Sequence, residues 1–309
     1  MGALFLVLLR VAIGWHFLYE GLEKVESTHK AGNAFSAEPY LRAATGPLAR
    51  TFRGIIPDVN SIHKLNLQDR KDAWKAEVDR ICAHYNFDES QLKKAQALLK
   101  ESEDYAEIWF EDSGSKEDIH KYLTELAGVQ QIEWNRNALS YERERAAAQR
   151  ADLEVDRKTL IADLDSRGEA MRDALALLAT QEQKEAAGPY QPAWTTLDWV
   201  NFSTMWGLVI MGVCLILGLF SPLAAFAGAV FLAQIYMSMP PWPGLPVSPK
   251  SEGHYLIVNK NLIEMIACLA LACIPTGSWI GIDALLFGAR RRRRELAREQ
   301  AELQAASER

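Results

Sequence analysis

Ala3-Leu-Phe-Leu-Val-Leu-Leu-Arg-Val-Ala-Ile-Gly-Trp-His-Phe-Leu-Tyr-Glu-Gly-Leu-Glu-Lys24 is the stretch around which the rest of the chain is organised. It is apolar over a length that crosses a bilayer, about 20 residues at 1.5 Å rise each. Yet it carries Arg10, His16 and Glu20. A charge at the centre of a span costs at least about 2.5–3.5 kcal/mol, so such groups face a protein interior or a water-filled cavity. The helix therefore needs partners. It lacks a basic leader, Arg10 interrupts its apolar run and no small-residue cleavage site follows, so it reads as a retained span rather than a signal peptide.

Three further apolar segments supply the partners: about Leu197 to Phe220, Leu223 to Met239 and Tyr255 to Ile274. Ser221-Pro222 joins the first two, and a loop too rich in proline for helix or sheet, Pro240 to Pro246, follows them. Trp194 and Trp199 mark a membrane interface, and Trp279 to Phe287 reads as a short interfacial helix. The expected fold class is an all-α membrane protein: a four-transmembrane-helix bundle with a long extracytoplasmic helical, coiled-coil-like insertion. Its parts are a first span (1–25), the insert (26–196), spans two to four with the interfacial helix (197–288) and an arginine-rich tail (289–309).

Orientation follows the Lys/Arg bias near span ends. The run Arg290 to Arg294 places the C-terminal end in the cytoplasm, and four spans place the N-terminal end there too. The insert then lies outside, which its many Lys and Arg do not oppose, because long domains translocate largely regardless of charge. The expected location is a bacterial plasma membrane, crossed several times.

The insert is polar and helical in pattern. Ser36 is positioned as an N-cap before Pro39, and Gly54 and Pro57 break the short helix that follows. Trp74, Val78, Ile81, Cys82 and Tyr85 recur at steps of three and four, one buried stripe. Asp88 three before Gln91 signals a capped helix running to about Phe110, and Asp112-Ser-Gly-Ser115 a fresh start. A third pattern runs from Lys116 to about Ala151 and a fourth to Ala187. Leu153, Leu160, Leu164, Met171, Leu175 and Leu178 recur like a coiled-coil seam.

Composition excludes some functions. The mean hydropathy of −0.11 averages very apolar ends with a polar middle, and a net charge of −6 argues against a general nucleic-acid binder. The 4 cysteines form no CxxC, and Cys268 and Cys273 stand about 140° apart on a helix, so they read as small buried hydrophobes. No phosphate loop, metal spacing or nucleophile elbow appears. The expected partners are the bilayer and a protein, docked through the insert or as a second copy.

The polar residues of helices one and four can be compared by depth if the two run antiparallel. From the outer end, Glu20 lies about 5 Å deep, His16 about 11 Å and Arg10 about 20 Å; Lys260 lies about 7 Å deep and Glu264 about 13 Å. His16 and Glu20 are one turn apart, as are Lys260 and Glu264, so each pair shares a face. Facing each other, Glu20 pairs with Lys260 and His16 with Glu264. Asn259 and Asn261 add hydrogen-bonding groups, and Glu252 and His254 stand at the mouth. Arg10 shares a face with Gly14, Phe17 and Gly21; the glycines admit another helix closely, and Glu264 or a bound anion is its candidate partner.

Such a cluster suits a redox site in which a quinone headgroup enters from the lipid and His16 or Glu264 manages its proton, since a carboxylate away from water holds its proton more readily and imidazole is the side chain that exchanges one near neutrality. On that reading His16, Glu20, Lys260 and Glu264 are the acid–base and charge groups. Arg10, Trp15, Tyr19, Asn259 and His254 are the quinone contacts. A metal or haem held by His16 and His254 lacks ligand spacing, so no metal is expected. The alternative is an interhelical network that sets packing and register.

Leu9-Arg-Val-Ala-Ile-Gly-Trp-His-Phe-Leu-Tyr-Glu-Gly-Leu-Glu-Lys24 resembles the first-helix signature of the DoxX/DoxD family, Asn259-Lys-Asn-Leu-Ile-Glu264 its fourth-helix element and Trp279-Ile-Gly-Ile-Asp-Ala-Leu-Leu286 its C-terminal ending. The resemblance implies a four-helix bacterial membrane protein. It also implies the activity of a membrane subunit of thiosulfate:quinone oxidoreductase, with quinone as the cofactor. Arg10, Gly14, Gly21 and Lys24 fall on the first motif, Asn259, Lys260 and Glu264 on the second and Asp283 on the third. Asp283 is expected to cap a helix or pair with the arginine tail. The long insert departs from the family's short loop. Two other readings stand beside the redox one: an adaptor whose helical arm docks a partner, and a small transporter or channel.

Overall fold

The computed structural model describes residues 1–29, 34–56, 62–135, 137–247 and 253–286. It is all-helical, with no strand among the described residues. In chain order the α-helices are α1 (Gly2–Ser27), α2 (Glu38–Arg42), α3 (Ala49–Ile55), α4 (Leu67–His84), α5 (Glu89–Glu111), α6 (Ser113–Trp134), α7 (Ser140–Leu160), α8 (Ala162–Leu178), α9 (Gln181–Ala187), α10 (Thr196–Leu217), α11 (Ser221–Ser238) and α12 (Lys260–Ala272). The chain forms two units: Met1–Ile55 with Thr196–Pro243 and Val247–Arg309, and Ile56–Thr195 with Gly244–Pro246. The arginine run, the 289–309 tail, Pro57 and Glu252 lie outside the described residues.

In the first unit α1, α10 and α11 are long and apolar enough to cross a membrane. At 1.5 Å per residue they extend about 27–39 Å. These three apolar helices mark a membrane protein. The expected fourth span is different. α12 has 13 residues, about 20 Å of helix, which is short of the roughly 30 Å hydrocarbon core. Residues 255–258 form a tight turn instead, with Tyr255 N–H on Val258 O at 3.1 Å, Val258 N–H on Tyr255 O at 3.0 Å and Leu256 at φ 57°. Asn259 then starts the helix, its side-chain oxygen accepting from Leu262 N–H at 3.0 Å. An Asn cap satisfies an amide that would otherwise be orphaned, which fixes the start here rather than at Tyr255. The interfacial helix expected from Trp279 also starts later, at 282.

The core of this unit joins Ile13 and Phe17 of α1 to Leu208 and Leu215 of α10, Ala225 and Leu232 of α11, and Cys268 and Leu271 of α12. Gly14 and Gly21 admit α10, as their spacing implies. A Cβ on Gly14 would stand 2.9 Å from Leu215 Cβ, and one on Gly212 2.7 Å from Gly14 O and 2.8 Å from Leu18 Cα. Small residues let two backbones approach this closely, where packing rather than hydrophobicity drives association in lipid. Residues 34–55 are tied into the same unit. Asn201 Oδ1 accepts from Ala37 N–H at 2.7 Å, and Ser238 O accepts from Thr45 N–H at 3.0 Å and Gly46 N–H at 2.7 Å. Ser36 Oγ accepts from Glu38 N–H at 3.1 Å at the entry to α2.

The second unit has two cores. Trp74, Val78, Ile81 and Tyr85 of α4 meet Ala95 and Ala106 of α5 and Leu164, Met171 and Leu175 of α8. Tyr122, Leu126 and Val129 of α6 meet Ala146 and Leu153 of α7. The leucine seam therefore does not run as one stripe: α7 ends at Leu160, and Leu153 and Leu164 join different cores. The pattern expected from Lys116 to Ala151 likewise divides, α6 ending at Trp134 and α7 starting at Ser140. A buried Arg150 holds both oxygens of Glu133 at 2.7 Å across α6 and α7, and Arg70 Nη1 donates to Asp165 at 2.6 Å.

Asp88 caps α5 as its spacing predicts: its carboxylate accepts from Gln91 N–H at 2.8 Å, and the Gln91 side chain accepts from Asp88 N–H at 2.9 Å. The Gln91 amide, with Ser90 adding a further bond, holds the Asp88 carboxyl below its ordinary range. A lowered folded pKa means the stabilisation is present above the unfolded pKa and lost as pH falls through the folded one. Asp88→Ala is accordingly expected to lower the helical melting midpoint at neutral pH. Its effect should vanish at strongly acid pH, read by circular dichroism; an equal loss at both would exclude the carboxylate as the cause.

Candidate functional site

Arg10 reaches Ile280, His16 reaches Glu264, and Glu20 and Lys260 line one cavity. α1 and α12 thus run antiparallel, and the polar residues meet in the order their depths imply. His16 Nδ1 lies 2.7 Å from Glu264 Oε1. With Nδ1–H donating to the carboxylate, Nε2 is the ring nitrogen left for an incoming group. Glu264 is the more enclosed of the pair, its side chain 12% exposed against 35% for His16.

The pair lies on a cleft of about 770 Å³ between the two helices. Leu9, Ala12 and Ile13 on one side and Ile263 and Ala267 on the other make its walls apolar. Asn259, Lys260, Glu264 and His16 supply its polar end. An apolar slot closing on a few convergent polar groups is the usual form of a small-molecule site.

Other expected members lie elsewhere. Glu20 pairs with Lys24, one turn along α1, not with Lys260. A partner on the same helix is always within reach, whereas Lys260 must be delivered by packing. Asn259 lines the cleft but its oxygen caps α12, so it positions the helix that carries Glu264. Trp15 and Tyr19, 63% and 60% exposed, point away from the unit, and neither they nor the exposed His254 line the cleft.

Arg10 is 2% exposed and takes neither Glu264 nor a place in the cleft. Its Nη2–H donates to Ile280 O at 2.7 Å and its Nη1–H to Thr276 Oγ1 at 3.5 Å, with Asp283 as its opposing charge. Asp283 caps α11, accepting from Phe220 N–H at 2.8 Å and Ser221 N–H at 3.1 Å. This capping is one of the two roles expected for it. Arg10 therefore ties α1 to the 276–280 segment, which Asp283 in turn ties to the α10–α11 turn. The sequence offered no signal for Thr276 and Ile280, because a backbone carbonyl acceptor has no side-chain signature. Among the described residues no group of three or more His, Cys, Asp or Glu is placed to hold a metal.

Comparison with protein-family models, curated proteins and solved structures finds no match for this chain.

Proposed function

We propose that this chain is a quinone-interacting membrane subunit of the DoxX/DoxD type, with the quinone ring in the cleft between α1 and α12. The observation that carries this reading is the His16–Glu264 pair, 2.7 Å apart on a cleft with apolar walls. A quinone is a planar ring with a long apolar chain, and its reduction adds two electrons and two protons. A quinone bound there would supply the two-electron, two-proton acceptor chemistry; His16 Nε2 would hold a ring carbonyl oxygen with Glu264 behind the imidazole, and Lys260 would lie at the polar end of the ring. The electrons come from a donor of the thiosulfate class or its protein carrier, docked on the 56–195 unit.

In this reading α12 and residues 276–286 together make the fourth crossing. The basic C-terminal run supports cytoplasmic ends and an outward 56–195 unit in a bacterial plasma membrane. Protease added to spheroplasts is expected to cleave within 56–195; protection of that unit would reverse the orientation.

Glu264→Gln keeps the shape of the pair but removes its charge. A hydrogen bond to a charged group is worth about 1.5–3 kcal/mol. Quinone retention by the purified protein is therefore expected to fall by about tenfold or more, with the melting midpoint little changed. Retention equal to the unsubstituted protein would overturn the site.

A further inference from the structure

A second cavity, of about 310 Å³, lies on the other side of His16. It is bounded by α1, α10, α11, the first turn of α12 and residues 34–55, all within the first unit. It shares only His16 and Lys260 with the cleft. We propose that it is a separate binding site for a neutral aromatic molecule carrying one hydroxyl or carbonyl group.

Three observations point there. The first is the wall. Phe17, Phe35, Phe52 and Phe231 surround the space, with Leu and Ile between them. An apolar cavity of about 150 Å³ accepts benzene; this one has about twice that volume, room for a fused or substituted ring.

The second is Asn261. It is 8% exposed, lines the cavity and has no hydrogen-bond partner among the described residues. Its carboxamide opens onto the cavity rather than being sealed in the core, so its natural partner is a polar group inside the cavity. A carboxamide both donates and accepts, which suits a hydroxyl or a carbonyl equally.

The third is charge. Lys24 and Lys260 on the wall are balanced by Glu20, bonded to Lys24, and by Glu264 behind His16. A balanced wall gives no net attraction for an ion, and an ion would lose its hydration on entry. A neutral ring with one polar substituent meets both the aromatic wall and the carboxamide.

The test uses the full chain in detergent, photolabelled with a diazirine-bearing phenol, with adducts mapped by mass spectrometry. Labelling is expected on the 34–55 segment and α11 walls, displaced by 1-naphthol at a concentration about tenfold lower than by naphthalene. Asn261→Leu should abolish that preference, and Thr204→Trp, which fills the cavity, should abolish the labelling. Equal competition by naphthalene and 1-naphthol in the unsubstituted chain would overturn the hydroxyl-reading role of Asn261. Labelling confined to exposed Leu223 and Phe226, or absent, would mean that the cavity holds water only. Thr204 lies outside the cleft, so quinone retention in Thr204→Trp stays unchanged, and failure of either site is read separately.

Discussion

Gly212→Val is expected to destabilise the membrane unit by about 3 kcal/mol or more, because the new side chain must displace backbone. Overpacking a core typically costs about 1–3 kcal/mol when side chains can adjust. Here the nearest atoms are Leu18 N and Cα and Gly14 O, at 2.5–2.8 Å from a Cβ. None is the end of a flexible side chain, so α1 and α10 must separate. Their separation would open the core at Ile13, Phe17, Leu208 and Leu215 and move His16 away from Glu264. Gly207→Val on the same helix is the control, since a Cβ there meets nothing within 4 Å. The melting midpoint of the purified protein in detergent should fall sharply for the first and hardly at all for the second. Equal midpoints would show that the helices do not pack through Gly212.

Asp283→Ala is expected to be comparably severe. Asp283 is 7% exposed, accepts from the Phe220 and Ser221 amides and opposes Arg10. Its removal leaves the Phe220 and Ser221 amides without their acceptor, and an unsatisfied buried polar group costs about 1–3 kcal/mol. The two functions of Asp283 separate in a double-substitution cycle. Asp283→Asn removes the charge and keeps an acceptor for α11. Arg10→Met removes the opposing charge and keeps apolar length. Combined, they are expected to destabilise by at least about 1 kcal/mol less than the sum of the singles, the signature of coupled neighbours. Strict additivity in thermal unfolding would mean that Arg10 and Asp283 act independently.

Arg10 also shows where reading the chain stops short. Its cost in a span was plain from its position in an apolar run, and so was its need for a partner. Which partner it finds depends on Gly218 at φ 63° and on the turn that brings residues 276–283 beneath α10 and α11. Glu20 shows the opposite case: its depth matched Lys260, but the lysine one turn along its own helix, Lys24, takes it. The seam from Leu153 to Leu178 has the repeat of a coiled coil, but a repeat is blind to the break at Ile161 that sends its halves into different cores. Asn261 was visible as a polar residue beside Lys260; that it is buried against a cavity with its carboxamide unpaired was not.

By itself the sequence determined the three long apolar helices, the start of α5 at Asp88 and the meeting of His16 with Glu264. Each rests on something local or constant: hydropathy along the chain, a cap within one turn, and a fixed rise per residue that sets depth. Only the tertiary structure decided the partners of Arg10 and Glu20, the late start of α12, the division of the leucine seam and the two cavities on either side of His16. These depend on which of several neighbours packing brings within hydrogen-bond distance. That choice is made by the close approach of whole helices, such as α1 and α10 at Gly14 and Gly212, and no single stretch of residues contains it.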